Sequence, residues 1–296
     1  MTIAWVFPGQ GSQKIGMAGP LLELPGARDR FNDASELLGR DLLAICAGEP
    51  AAEPAALDDT RNTQPALFVI ESLLAEALRA QGRRPDLVAG HSLGELVALH
   101  VAGVFDFDTG LRLMARRSDL MAAAGGGAMT AVIGFERAKL EQLVAANADV
   151  VIANDNSEAQ VVLSGTPEAV GPICAELRCK RAIPLAVSGA FHSPFMAAAA
   201  EQFAAELEAV PFSDAEVPVL SNTDPTPATD ANVLKRRLRD QMTRGVRWRE
   251  TMAQLVATGV DTAVEIGPGN VLSGLIKRGC PALLTAQISG ASDLGQ

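Results

Sequence analysis

The stretch Asp86-Leu87-Val88-Ala89-Gly90-His91-Ser92-Leu93-Gly94-Glu95-Leu96 decides how this chain is read. Asp86 to Gly90 is a short apolar run with strand character, and a helical pattern begins at about Gly94. Between them, Gly90-His91-Ser92-Leu93-Gly94 fits G-x-S-x-G, the signature of a sharp strand-to-helix turn that lifts a serine above a sheet edge. The two glycines leave room for neighbouring backbone to pass. The serine oxygen then stands beside a helix N-terminus, whose N–H groups favour negative charge. The Leu93 N–H is placed to donate to an oxyanion. The plainer alternative is an ordinary turn that contains a serine; the strand before it and the helix after it favour a nucleophile.

A serine hydroxyl is a weak nucleophile and needs a base. Only three histidines exist: His91, His100 and His192. His91 adjoins Ser92, and adjacent side chains at a turn diverge. His100 lies two turns along the following helix and reads as a helix-face residue. His192 lies in Gly189-Ala190-Phe191-His192-Ser193-Pro194, a loop between a strand and a helix. Loops at the C-terminal ends of parallel strands form the crevice where ligands bind, so His192 is the expected base. No acid stands out as a third member. Asp224 and Asp230 in the next connection are candidates to orient the imidazole; a backbone carbonyl or an amide is the alternative.

Working outward, Thr2 to Phe7 reads as a buried strand feeding the loop Gly9-Gln10-Gly11-Ser12-Gln13. Helical patterns run to about Ala47, and an Ala/Pro/Glu-rich surface loop covers Gly48 to Asp59. Pro65 opens a helix through Gln81, apolar on most sides and therefore buried. A helix from about Asp108 to Ala123 ends before Gly125-Gly126-Gly127, which reads as a hinge or domain boundary.

The rhythm then changes. Ala128–Ile133, Val150–Ala153, Gln160–Leu163 and Arg181–Ala186 read as strands. Glu136–Ala146 and Pro167–Leu177 read as helices, the second with Thr166 as N-cap. The order β-α-β-β-α-β is the ferredoxin-like pattern. Beyond it, helix Pro194–Val210, strand Val217–Ser221, helices Ala231–Met242 and Trp248–Thr258, strand Thr262–Ile266, helix Val271–Lys277 and strand Leu283–Ala286 resume the first rhythm. Such alternation implies a mostly parallel sheet covered on both faces. The expected fold is α/β: residues 1–125 and 188–296 form a large sheet domain, and 126–187 form an inserted ferredoxin-like subdomain. The tail Ser289–Gln296 is expected to be disordered.

Composition excludes several functions. The formal net charge is −10 and the chain has no Tyr, which argues against a basic or base-stacking nucleic-acid surface. No uncharged apolar run reaches the roughly 20 residues that span a bilayer, and the N-terminus lacks the pattern of a signal peptide, so neither a membrane nor export is expected. Cys46, Cys174, Cys179 and Cys280 lack paired C-x-x-C spacing. Reduced thiols in a cytoplasmic protein, without metal or redox cofactor, are the expectation.

Four motifs occur in order: Phe7-Pro8-Gly9-Gln10-Gly11-Ser12-Gln13, Gly90-His91-Ser92-Leu93-Gly94-Glu95, Gly189–His192 and Glu265-Ile266-Gly267-Pro268-Gly269. From Phe7 to about Lys277 the chain resembles the malonyl-CoA:acyl carrier protein transacylase family, the acyltransferases of type II fatty acid synthesis. The resemblance implies an α/β-hydrolase-like domain with a ferredoxin-like insert, in agreement with the rhythm above. It implies malonyl-CoA and acyl carrier protein as partners, and no cofactor. A monomer is expected. It makes Ser92 the residue that becomes malonylated and His192 its base and later acid. Gln10 falls where the family supplies a second oxyanion N–H beside that of Leu93. Arg117 corresponds to the arginine that binds the free malonyl carboxylate, with Met121 lining the same pocket. Asn222 and Gln241 resemble the family's supports for the histidine and substrate. Phe191 narrows the pocket where a methyl branch would project.

A planar guanidinium binds a carboxylate through two parallel charge-assisted hydrogen bonds, which suits malonyl over acetyl. Arg116 and Arg117 point about 100° apart on a helix, so only one faces the pocket; the resemblance selects Arg117. Acidic carriers need a local basic patch, and Lys235, Arg236 and Arg237 are the candidate docking residues. Three other readings share the motif: a serine esterase or thioesterase, a non-catalytic docking subunit, and the same transfer serving polyketide assembly or malonate breakdown.

Overall fold

The computed structural model describes residues 1–49, 57–187 and 189–295. Strand β1 is Ile3–Phe7, followed by α1 (Ala27–Leu38), α2 (Leu42–Ala47), α3 (Thr60–Ala80), β2 (Leu87–Gly90), α4 (Gly94–Val101) and α5 (Phe107–Ala123). Next come β3 (Ala128–Ile133), α6 (Arg137–Ala145), β4 (Val150–Ser157), β5 (Gln160–Gly165), α7 (Pro167–Glu176) and β6 (Arg181–Pro184). The chain closes with α8 (Ala197–Ala209), β7 (Val219–Leu220), α9 (Ala231–Asp240), α10 (Trp248–Ala257), β8 (Thr262–Ile266), α11 (Val271–Gly279) and β9 (Leu284–Ile288).

Two sheets organise these elements. The first runs β7-β2-β1-β8-β9 with every pair parallel. Parallel strands need covered faces, and helices supply the cover: Trp5 and Phe7 point into one core with α3 and α4, while Ala4 and Val6 point into another with α10 and α11. The second sheet runs β4-β5-β3-β6, all antiparallel, over its own core of Val132, Leu140, Val161, Leu163 and Ile173. Its strand order is that of a ferredoxin-like unit, as the β-α-β-β-α-β rhythm predicts. Val246 ties the two sheets together: its N–H donates to Ala153 O at 2.7 Å, and its carbonyl accepts from Asp155 N at 2.9 Å.

Several expectations need correction. Helix α3 begins at Thr60, five residues before Pro65, with the Asp59 carboxylate accepting from Arg61 N as N-cap. Pro65 has no N–H for the Arg61 carbonyl; the Arg40 guanidinium donates to that carbonyl at 2.7 Å instead. Thr166 stands at the N-cap of α7, but its side chain caps nothing; its carbonyl accepts from Ala169 N and Val170 N. The strand expected over Val217–Ser221 shrinks to two residues. The tail is ordered through Gly295: Asp293 accepts from Ser289 N and Gly290 N, and Leu294 is buried. Most of the loop expected over Gly48 to Asp59, the boundary at 188 and the final Gln296 lie outside the described residues.

Candidate active site

The turn between β2 and α4 is as tight as its glycines suggest. A Cβ on Gly90 would lie 1.9 Å from the Gly94 carbonyl carbon, and one on Gly94 would lie 2.2 Å from the Phe7 carbonyl oxygen. Ser92, between them, has φ 54°. Asn222 fixes this conformation from the next strand's end: its Oδ1 accepts from Ser92 N at 2.7 Å and its Nδ2 donates to Gly90 O at 2.6 Å.

The Ser92 hydroxyl meets His192 Nε2 at 2.7 Å. The ring's other nitrogen, Nδ1, lies 2.9 Å from the Gln241 carbonyl oxygen. A carbonyl only accepts, so Nδ1 carries the proton and Nε2 presents a lone pair to Ser92. Neither aspartate orients the ring: Asp224 accepts from Arg237, and Asp230 caps α9 through Val233 N. The backbone-carbonyl alternative is the one observed. Burial and the Arg117 cation hold His192 far below its ordinary value, at about 3, so the imidazole is neutral at physiological pH.

The other histidines are placed elsewhere. His91 Nε2 bonds Asn156 Oδ1 at 2.8 Å. His100 Nδ1 faces Phe105 O at 3.2 Å, and its ring packs against Phe68 and Phe107.

Arg117 is fully buried, and its Nη2 donates to Ser92 Oγ at 3.1 Å and to Gln241 Oε1 at 2.9 Å. Its Nη1 donates to Gln64 Oε1, and Nε is without a partner among the described residues. All three partners are neutral. Burial lowers the guanidinium to about 10, which leaves it cationic. Arg116 turns away to Gln202 and Glu206 on α8. Met121 Sδ accepts from Gln64 Nε2 at 3.4 Å.

Gln10 joins the same network. Its Oε1 accepts from Thr60 Oγ1 at 2.8 Å, and Thr60 Oγ1 accepts from Gln64 Nε2 at 2.9 Å. The backbone N–H groups of Gln10 and Leu93 donate to no group among the described residues. Gln10, Thr60, Arg61, Asp119 and Phe191 line a cavity of about 530 Å³.

A family model described as the acyl transferase domain matches residues 4–292. The malonyl CoA-acyl carrier protein transacylase of Synechocystis sp. (strain ATCC 27184 / PCC 6803 / Kazusa) is 51% identical over 294 residues, covering 99% of each chain. The chain belongs to the malonyl CoA-acyl carrier protein transacylase family. It is an acyltransferase. The crystal structure of the Synechocystis enzyme matches with a TM-score of 0.96, over 100% of this chain and 99% of that one. A malonyl-transacylase solved in complex with its type II PKS acyl-carrier protein is 38% identical, with a TM-score of 0.92 over 99% and 98% of the two chains.

Two site features of this transacylase family member, at Asn222 and Arg237, differ from the sequence reading, while Gln241 contacts His192, as expected, and Arg117. Asn222 holds the Ser92 backbone and does not touch the histidine. Gln241 acts twice, orienting His192 through its carbonyl and Arg117 through its side chain. Arg237 is a structural tie: its guanidinium bonds Asp224 and Thr226, and its side chain is 12% exposed. Lys235 Nζ lies 5.3 Å from the Phe212 ring centroid. Arg236, Arg239 and Arg244 line a hollow of about 330 Å³ together with Arg237, Asp224 and Asp240. Sequence reasoning also missed Gln64, Thr60 and Glu95. Glu95 stood inside the quoted motif, and a charged residue in a helix start as apolar as Gly94–Val101 was the available signal.

Among the described residues no group of three or more His, Cys, Asp or Glu is placed to hold a metal ion. The four cysteines are free. No helix among the described residues is long and apolar enough to cross a membrane.

Proposed function

We propose that the chain moves a malonyl group from malonyl-CoA to the phosphopantetheine thiol of acyl carrier protein through a malonyl ester on Ser92, supplying extender units for fatty acid synthesis. His192 Nε2 takes the hydroxyl proton while Ser92 Oγ forms its bond to the thioester carbon. The carbonyl π pair moves onto oxygen, where the free N–H groups of Gln10 and Leu93 receive it. Collapse breaks the C–S bond, and His192 returns its proton to the leaving sulfur. In the second half, the carrier thiol gives its proton to His192 and its sulfur bonds the ester carbon. Ser92 Oγ then leaves with the proton from His192. Proton and electron pairs balance across the cycle, and no redox or metal step is needed.

The observation that carries this reading is Arg117: a buried cation with only neutral partners, one guanidinium nitrogen from the Ser92 oxygen. The buried Glu95 carboxylate supports the cation through space without bonding it, so the guanidinium still lacks a charged hydrogen-bond partner, and a buried charge so placed is costly. The free carboxylate of malonyl compensates it, and acetyl does not. Met121 and Phe191 bound the space around that carboxylate, and Phe191 disfavours an added methyl by roughly 1–3 kcal/mol. We assign residues 1–125 and 188–296 to the catalytic domain and 126–187 to the smaller one. The carrier's acidic surface is assigned to the arginine-lined hollow beside α9, with Arg236 rather than Arg237 as its contact. A cytoplasmic location accords with the four unpaired thiols. Transfer assays on Ser92→Ala and His192→Ala test the reading: both are expected to lose malonyl transfer while keeping the wild-type circular dichroism. A wild-type rate in either would overturn its assignment.

A further inference from the structure

Glu95 sits three residues after Ser92 and is fully buried at the start of α4. Its Oε2 accepts from Gln241 Nε2 at 2.7 Å and from Asn222 N at 3.1 Å. Those two residues are the clamps on either side of the nucleophile. Asn222 holds the Ser92 and Gly90 backbone. Gln241 accepts from His192 Nδ1 with its carbonyl and from Arg117 with its amide oxygen, and its amide nitrogen also donates to Ser92 O at 2.9 Å. One carboxylate oxygen therefore touches both clamps, and touches neither Ser92, His192 nor Arg117 by hydrogen bond.

The direction of the bonds gives this contact its consequence. An amide has one accepting and one donating end, and a flip exchanges them. Gln241 must turn its oxygen to Arg117, because a guanidinium only donates. Its nitrogen must then find acceptors. Ser92 O satisfies one hydrogen and Glu95 Oε2 the other. Without Glu95 that second hydrogen is buried and unpaired, and the amide loses the restraint that aims its oxygen at Arg117.

We propose that Glu95 is a positioning residue for malonyl selection: its accepting oxygen locks Gln241, and Gln241 in turn aims Arg117 at the acyl carboxylate beside Ser92. The inference rests on the transfer reading above. It requires an acceptor at this position, not a charge. Glu95→Gln keeps an accepting oxygen; Glu95→Met removes it at similar volume.

Steady-state kcat/KM with malonyl-CoA and with acetyl-CoA tests the proposal on wild type, Glu95→Gln, Glu95→Met, Gln241→Met and the double variant. The expected result is that Glu95→Met lowers the malonyl-over-acetyl preference about tenfold or more, the size of a lost charge-assisted hydrogen bond. Glu95→Gln should keep most of the preference. Gln241→Met should lose it too, and adding Glu95→Met to Gln241→Met should cost little more. An unchanged preference in Glu95→Met, a Glu95→Gln as damaged as Glu95→Met, or full additivity in the double variant would overturn it. Should Glu95→Met fail to fold, Gln241→Met alone decides, since an unchanged preference there removes the link. A wild type that transfers no malonyl group would sink the underlying reading instead, which separates the two failures.

Discussion

Ser92 and His192 share a backbone conformation as well as a 2.7 Å hydrogen bond: φ is 54° at one and 56° at the other, and no other non-glycine residue described has a positive φ. Left-handed backbone costs an L-residue of this kind roughly 1–2 kcal/mol. The strain is confined to the two residues that perform the proposed chemistry. At Ser92 it is held by Asn222 and the flanking glycines.

That placement makes a stability prediction. Ser92→Ala and Ser92→Gly both delete the hydroxyl, so the difference between them isolates the backbone. Ser92→Gly should be more stable than Ser92→Ala by about 1 kcal/mol, and both should be inactive. Urea denaturation measures it; equal midpoints would mean that the turn is relaxed.

Arg117→Ala should lower kcat/KM for malonyl-CoA by about a hundredfold or more, the scale of a lost buried charge-assisted contact. Acetyl-CoA should fall by less than about tenfold, because it has no carboxylate to lose. Parallel losses for both substrates would remove Arg117 from selection and leave it a structural role.

The pH profile follows from His192. Burial, then the Arg117 cation, depress its pKa to about 3. The neutral base therefore persists below the ordinary histidine value of 6.5. Acylation kcat/KM in the free enzyme should stay flat from about pH 8 to about pH 5, wherever the fold is intact. Arg117→Gln should move the acid limb upward, since one depressing charge is gone. An inflection at the ordinary value in wild type would contradict this environment. Linkage has the same sign: the unfolded histidine binds a proton below 6.5 that the folded one refuses, so this group lowers stability as pH falls from 6.5 toward about 3.

Glu71 behaves in the opposite sense. It is fully buried in α3 with both carboxylate oxygens unpaired among the described residues. Burial, and then the neighbouring Glu265, push its pKa well above the ordinary 4.5. The folded state keeps a proton that the unfolded chain releases, so its contribution is full below 4.5 and is lost as pH rises. Glu71→Gln should remove this loss, with a gain in melting temperature that grows from about pH 5 to about pH 8. A constant difference across that range would mean that Glu71 does not titrate this way.

The parts of the site legible in the sequence are those fixed by local geometry. Gly90 and Gly94 cannot carry a Cβ, so the serine elbow is written in the chain itself. Arg117 and Arg116 separate because a helix turns about 100° per residue. The network around them depends on distant contacts. Gln64 and Thr60 were lost because Pro65 looked like a helix start; the Arg40 guanidinium that satisfies the displaced carbonyl comes from 21 residues upstream of Arg61. The orienter of His192 is a main-chain oxygen, and a main-chain oxygen has no side-chain signature. The order of the tail has a similar origin: one carboxylate, Asp293, and one buried leucine, Leu294, are enough to fix it.

Intact-protein mass spectrometry after brief exposure to malonyl-CoA, followed by a chase with holo carrier protein, decides whether Ser92 carries the acyl group. One malonyl adduct is expected, mapped by peptide digestion to Ser92, and it should disappear as malonyl carrier forms. No adduct, an adduct that survives Ser92→Ala, or an adduct released to water but not to the carrier would contradict the transfer reading.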